Sequence, residues 1–328
     1  MKIMIKEIEP NKIVSSFFVL DSFELRLDRN NREYILLTLR DKSGAIKAFI
    51  WNVSHDISQR LKERTILSVT GYSRFLDNFL VIDVYDWRYA KWDEVDIRDF
   101  VEVVKEGINH WVVKLNELVD LIEDPYCKGI IKKFLNDEEF MRIFKKRPAG
   151  ISIHHNYVGG LLEHTVSTMS LSALVADKYP DVLDKNILLT GAFLHDIGKT
   201  KELSGNITVE YTTEGELLGH ITLGILMLEE KISLFDEFPQ ELGLHLKHII
   251  LSHHGKLEYG SPVVPKTPEA IVVSTLEGLD AKFNHLHKIL KNSDTHQVKS
   301  FYDSFLDLKI LTERSYKTSF KVFKDGGF

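Results

Sequence analysis

The chain has 328 residues, 44% hydrophobic and 27% charged, which is long enough for two domains and a well-buried core. A formal net charge of −6 argues against wholesale coating of nucleic acid, and a single cysteine, Cys127, excludes an internal disulfide and fits a reducing cytosol. Charge interrupts residues 1–12 too often for a signal peptide, and no apolar run approaches membrane-spanning length, so a soluble, cytoplasmic protein with no membrane partner is expected.

Residues 1–92 read as one unit. Phe17 to Leu20 opens a strand and Arg26 to Asn31 is a polar turn. Tyr34 to Leu39 is β-rich, an Asp41 to Gly44 turn follows, and Ala45 to Trp51 returns. Val53 to Leu61 has room for one short helix. Thr65 to Tyr72 and Phe79 to Trp87 supply two more strands around a turn at Leu76-Asp77-Asn78. Five strands with one helix between the third and fourth is the order of an OB-fold, a small Greek-key barrel that often binds oligonucleotides. Residues 1–90 carry 14 Lys and Arg against 12 Asp and Glu, so this front end is mildly basic. Phe17, Tyr34, Phe49, Trp51, Tyr72, Phe75, Phe79 and Trp87 alternate with Arg26, Arg29, Arg32, Lys47 and Arg74. Most of these aromatics are expected inside the barrel, leaving two or three exposed to stack on bases.

Residues 93–150 read as a helical linker region, broken once at Pro125, with Cys127 a small buried residue of one helix. Residues 151–290 are expected to be helical, with turns at Tyr179-Pro180, Ser204-Gly205-Asn206, Phe238-Pro239 and a longer Gly255 to Pro268 loop. Residues 291–328 mix polar and aromatic side chains and read as a partly ordered appendage. The fold class is therefore multi-domain α+β, a five-stranded barrel followed by an all-α bundle.

The bundle carries the chemistry. An apolar run from Ile187 to Leu194 delivers His195-Asp196 and then stops at Ile197-Gly198-Lys199. Small Gly191 and Ala192 one turn earlier allow a neighbouring helix to approach. His164 lies upstream; His220, His253-His254 and Asp280 lie downstream, at steps of about 24 to 33 residues, one helix plus one connection. His248 reads as a core residue. Several imidazoles and two carboxylates turned inward would be intolerable in a dry core, whereas divalent cations would make them a coordination shell. The absence of thiolate ligands disfavours a structural zinc site.

The order His, His-Asp, His, His-His, Asp resembles the HD-domain metal-dependent phosphohydrolases. The segments HHNYVGGLLEHT, HDIGKTKELSG, YTTEGELLGHI and LKHIILSHHGKLEYGSP are closer still to the YhaM-type 3′-to-5′ exoribonucleases, which join an OB-fold to an HD domain. The resemblance covers roughly residues 10 to 290. In this arrangement His164, His195, Asp196 and Asp280 surround one cation, and His220, His253 and His254 complete a second, with Asp196 bridging. The resemblance favours Mn²⁺, while mixed N/O ligation leaves Co²⁺, Fe²⁺ and Zn²⁺ open. Lys199, on the face of Asp196, is expected to support catalysis by holding a phosphate oxygen or protonating a leaving group. His155, Lys256 and Tyr259 are candidates for substrate contacts. The implied activity is stepwise shortening of single-stranded RNA, with single-stranded DNA a close neighbour, to nucleoside 5′-monophosphates. A small nucleotide or cyclic dinucleotide is the alternative substrate, a nucleic-acid-binding protein with a purely structural metal a third reading, and a homo-oligomer is compatible with the sequence.

Overall fold

The computed structural model describes residues 2–51, 53, 55–101, 103–150, 157–205, 209–292 and 300–311. Five strands, β1 (Ile13–Leu27), β2 (Glu33–Asp41), β3 (Gly44–Trp51), β4 (Thr65–Leu76) and β5 (Phe79–Tyr89), close a barrel in the order β1-β2-β3-β5-β4. Helix α1 (His55–Arg60) lies between β3 and β4, which completes the OB-fold order. β1 is 15 residues long and serves two neighbours. Its first half pairs with β4 and its second with β2, with a register shift between Leu20 and Ser22 where it bends. Closure depends on a parallel β3–β5 pairing, Lys47 to Ile50 against Val81 to Val84. Asp77 and Asn78 both take positive φ, which lets a tight turn follow the strand twist. Gly71 has a different reason: a Cβ there would come within 2.5 Å of the Asp83 carbonyl oxygen.

Alternation decides what fills the barrel. Ile35, Leu37 and Leu39 point in from β2, and Val14, Phe18, Leu20, Ile46, Ala48, Ile50, Leu67, Val69, Ile82 and Val84 meet them. The interior is thus built mainly from branched aliphatic side chains. This corrects the expectation for the aromatics. Of the eight named above, Phe49 alone is buried; Trp51, Tyr72, Phe75 and Phe79 are exposed and the rest are intermediate. Trp87 packs partly against this core and Phe17 against a second small cluster, whereas Tyr34, Phe49 and Trp51 occupy the outward positions of β2 and β3, which the sequence period allows equally well.

The helical part contains α2 (Ile108–Asp120), α3 (Pro125–Leu135), α4 (Glu138–Phe144), α5 (Gly160–Lys178), α6 (Lys185–Leu194), α7 (Lys199–Glu202), α8 (Thr213–Ile232), α9 (Gln240–Ser252) and α10 (Pro268–Asn292). Their starts follow from local chemistry. The Asp124, Asp137, Asp184 and Thr212 side chains accept first-turn N–H groups of α3, α4, α6 and α8, and Pro125 opens α3, where no donor is missed. One apolar cluster joins α2–α6, α8–α10 and the buried Cys127. Gly191 permits a close crossing of α6 and α9, since a Cβ there would lie 2.5 Å from the Ile249 side chain of α9.

The expectation of helix throughout 151–290 needs one correction. A hairpin of β6 (Leu203–Ser204) and β7 (Glu210–Tyr211) separates α7 from α8. The strands are two residues each, too short to leave a period in the sequence. A second hairpin, β8 (Ser300–Asp303) and β9 (Leu308–Leu311), lies in the appendage, and Asp303 bonds His285 of α10 at 2.9 Å. No helix among the described residues is long and apolar enough to cross a membrane.

Candidate metal centre

The geometry begins at two helix ends. α6 stops at Leu194 and α9 at Ser252, so His195 and His253 are the capping residues. Carbonyl groups of a last helical turn lack amide partners from their own helix. Here the imidazoles use them: His195 Nδ1 is 2.8 Å from the Ala192 carbonyl oxygen and His253 Nδ1 is 2.7 Å from that of Ile250. His254, one residue further, donates through Nδ1 to the Tyr259 carbonyl oxygen at 2.8 Å. A carbonyl oxygen only accepts, so all three rings carry a proton on Nδ1 and turn Nε2 inward, where it can bind a cation once it has no proton of its own. His164 and His220 bond outward in the same way, to carboxylates: His164 Nδ1 to Asp280 Oδ2 at 2.7 Å and His220 Nδ1 to Glu202 Oε1 at 2.9 Å.

The inward nitrogens then meet one another. His164 Nε2 lies 3.1 Å from His195 Nε2, and His220 Nε2 lies 3.2 Å from His254 Nε2. Two lone pairs at such distances repel unless a positive charge stands between them. Asp196 lies between the two pairs, 1% exposed. Its Oδ1 faces His253 and His220 at 3.5 and 3.7 Å; its Oδ2 faces His195 and His164 at 3.5 and 3.7 Å and accepts from Lys199 Nζ at 2.6 Å. Asp196 Oδ1 and His253 Nε2 are buried with no hydrogen-bond partner. Buried polar atoms are rarely left so. The donors fall into two sets, His164 with His195 and Asp196, and His220 with His253 and His254, each able to hold one divalent ion. Orphaned atoms, facing lone pairs and a mixed nitrogen–oxygen donor set all fit such ions.

Electrostatics agree. Burial disfavours charge on Asp196, yet Lys199 and then His195 outweigh it and hold the carboxyl well below its ordinary range. Burial likewise works against the Lys199 ammonium, but Asp196 overrides it and raises its pKa. Burial also opposes protonated His195, and Asp196 again prevails, so the local field favours positive charge. His253 responds chiefly to burial, which pushes it down to about 3, and burial followed by His220 lowers His254. Both are thus unprotonated at neutral pH, as metal ligands must be.

That shift has a measurable consequence. The unfolded chain takes up a proton at His253 near pH 6.5, whereas the folded chain resists it down to about 3. The unfolded state therefore binds more protons in this window, and stability falls as pH drops from about 6.5 towards 3. Denaturant melts in chelator are expected to lose up to about 1.4 kcal/mol per pH unit from this group. Glu277, held protonated up to about 7, contributes with the opposite sign between about 4.5 and 7, so the His253 share is read as the difference in pH slope between wild type and His253→Gln; identical slopes would contradict the burial of His253.

The structure brings His164, His195, Asp196, Lys199, His220, His253 and His254 together. Asp280 sits at the outward nitrogen of His164, beside the converging donors rather than among them. Lys256 and Tyr259 are on the exposed loop after α9; Lys256 pairs with Glu258 at 3.2 Å, and its ammonium lies 5.2 Å from the Tyr259 ring centre. Their link to the centre is the Tyr259 carbonyl that holds His254. His155 lies outside the described residues. His248 is half-buried rather than core, its Nε2 accepting the Lys266 amide at 2.9 Å, because its face of α9 meets the following loop.

Two carboxylates of the centre escape a reading of the sequence. Glu277, three residues before Asp280 on α10, is pushed up to about 7 by burial and then by the charge of Asp196. Its one signal is that i, i+3 spacing on a shared face. Glu202 bonds His220 and ends the short helix that Lys199 begins. In sequence it reads as an ordinary surface acid.

The fold and centre together define an OB-type barrel followed by a helical domain with a buried His/Asp cluster. The HD domain family matches residues 161–282, the stretch that holds every converging donor. That match points to metal-dependent phosphohydrolysis. Among solved structures, the barrel is similar to the second OB-fold domain of replication protein A from Methanococcus maripaludis, at 22% identity over 28% of this chain and 96% of that one, with a TM-score of 0.24. It is also similar to PriB from Ralstonia solanacearum, at 14% identity over 25% of this chain and 100% of that one, TM-score 0.22. A third is the SSB domain of a Synechococcus protein, at 13% identity over 25% and 97%, TM-score 0.21.

Proposed function

We propose that the protein is a metal-dependent phosphodiesterase that shortens single-stranded RNA, and in the same way single-stranded DNA, from the 3′ end and releases nucleoside 5′-monophosphates. The observation that carries the hydrolytic reading is the set of imidazole lone pairs facing one another around Asp196. His164, His195 and Asp196 would hold one ion, and the resemblance adds Asp280, whose carboxylate lies at the outward nitrogen of His164, as a further ligand of the same ion. His220, His253 and His254 would hold the other, and Asp196 would serve both. Two divalent ions, Mn²⁺ by the resemblance, would supply an activated water and neutralise charge on the phosphoryl group. Lys199 would contribute a fixed positive charge beside a phosphate oxygen. Its raised pKa suits that electrostatic role better than proton donation. Lys256, Tyr259 and His155 remain the proposed substrate contacts.

The strand-binding half rests on the outer face of the barrel. Tyr34, Phe49 and Trp51 stand together on β2 and β3; the Phe49 and Trp51 rings lie parallel within 8° at 5.2 Å, and Tyr34 is 5.0 Å from Trp51. Trp51 donates from Nε1 to Asp83, which also binds Arg74, so the platform is fixed in place. Such a surface suits bases of a single strand.

The deciding assay uses 5′- and 3′-labelled oligoribonucleotides with Mn²⁺. Early loss of the 3′ label with progressive shortening of the 5′-labelled strand is expected. Intact RNA in the presence of Mn²⁺ would refute the proposal. Trp51→Ala is expected to weaken oligonucleotide binding about 10-fold, the worth of one stacked base. It should leave hydrolysis of a small phosphodiester such as bis-p-nitrophenyl phosphate unchanged. Equal turnover of long and dinucleotide substrates by both proteins would favour a small-nucleotide enzyme.

A further inference from the structure

Glu202 occupies a position that none of the roles above explains. α8 is broken at Gly219, whose φ of 68° and ψ of 159° are non-helical, and the helix starts afresh at His220. A Cβ at Gly219 would meet nothing within 4 Å, so the glycine serves the backbone turn alone. A fresh helix start leaves amide donors without intrahelical partners. Glu202 Oε1 accepts one of them, the His220 N–H, at 2.9 Å, and the same oxygen accepts His220 Nδ1–H at 2.9 Å. One carboxylate oxygen thereby fixes the main chain and the ring of a single residue. With Nδ1 so engaged, Nε2 can only face inward, towards His254 and Asp196.

The connection is rigid from both sides. Glu202 is 8% exposed and follows Lys199 within α7, so it is tied to the His195-Asp196 turn. A Cβ on Gly198 would lie 1.9 Å from the His220 carbonyl oxygen, and one on Gly215 would lie 2.2 Å from the Glu202 carbonyl oxygen. α7 and α8 therefore touch backbone to backbone around this contact. Three of the other four imidazoles rest on main-chain carbonyls, which no substitution removes. His220 rests on a side chain.

Building on the two-ion reading, we propose that Glu202 is a positioning residue for the second ion: it sets how tightly His220, His253 and His254 hold a cation, without touching cation or substrate. A carboxylate on the outward nitrogen fixes the tautomer and orientation of a ligating imidazole and makes it a stronger donor.

The test is calorimetric titration of the whole, metal-stripped chain with Mn²⁺, which needs no turnover. Wild-type protein is expected to bind two ions. Glu202→Met, which fills the space without an acceptor, should weaken the second ion about 10- to 100-fold and leave the first within about threefold. Glu202→Gln keeps an oxygen for both N–H groups and should recover the second ion to within about threefold of wild type. Should Glu202→Met fail to fold, Glu202→Ala, which admits water to the His220 amide, replaces it. Wild-type protein binding fewer than two ions would sink the two-ion reading itself. Two ions in wild type with unchanged affinity in the Met or Ala variant, equal loss of both ions, or a Gln variant no better than Met, would overturn the role of Glu202 alone.

Discussion

Asp196→Asn is expected to abolish binding of both ions and to lower phosphodiester hydrolysis by on the order of 10³-fold, the scale of losing a principal electrostatic element of a catalytic site. One carboxylate oxygen faces each set of imidazoles, so a single substitution removes an anionic donor from both. The amide that replaces it offers one weak oxygen and an NH₂ group that would repel a cation. The variant also leaves the Lys199 ammonium buried beside a neutral group. Metal analysis after dialysis into buffer without chelator is the direct measurement. Two ions retained per chain with activity unchanged would exclude Asp196 as the shared ligand.

The second large effect separates the roles of Lys199. Without metal, Lys199 is the cation that balances Asp196, at 2.6 Å and 8% exposure. Lys199→Met should therefore destabilise the metal-free protein by about 3–5 kcal/mol, the usual penalty for stripping one partner from a buried pair. With Mn²⁺ present the ions themselves balance Asp196, and most of that loss should vanish. Hydrolysis in saturating Mn²⁺ should still fall by about 10²-fold if the ammonium sits beside the scissile phosphate. Melting curves in chelator and in Mn²⁺, read beside turnover, give the answer. Equal destabilisation in both conditions would mean that Lys199 is a packing residue with no electrostatic link to the centre.

Much of the fold and of the centre is legible in the amino-acid sequence, for physical reasons that differ from element to element. Tyr34 to Leu39 reads as a β-rich run, and its side chains at 35, 37 and 39 enter the core. His195-Asp196 declares itself because an ionisable pair at the end of an apolar run demands compensation. The Gly191 crossing is readable from residue size alone. Other features leave no trace. Period-2 alternation says that Phe49 and Trp51 share a side, but not which side, and only the register of β2 against β3 adds Tyr34 to them; the expectation that such aromatics fill the barrel is wrong. β6 and β7 are too short to show a period. The break at Gly219 looks like any glycine inside a helical pattern, because the strain it relieves depends on where Glu202 and Gly198 stand in space. Glu202 and Glu277 look like solvent-facing acids, and only tertiary burial makes them part of the centre.

The donors are contributed by α5, the end of α6, α8 and the end of α9, which are far apart in sequence. Any cation bound among them is also a clasp between four rods. An ion that binds only the assembled chain adds RT ln(1 + [ion]/Kd) to its resistance to unfolding, about 2.7 kcal/mol at a hundredfold excess over Kd. Resistance to heat and proteolysis should therefore track the free concentration of the ion, and starvation for it would silence the protein and shorten its lifetime together.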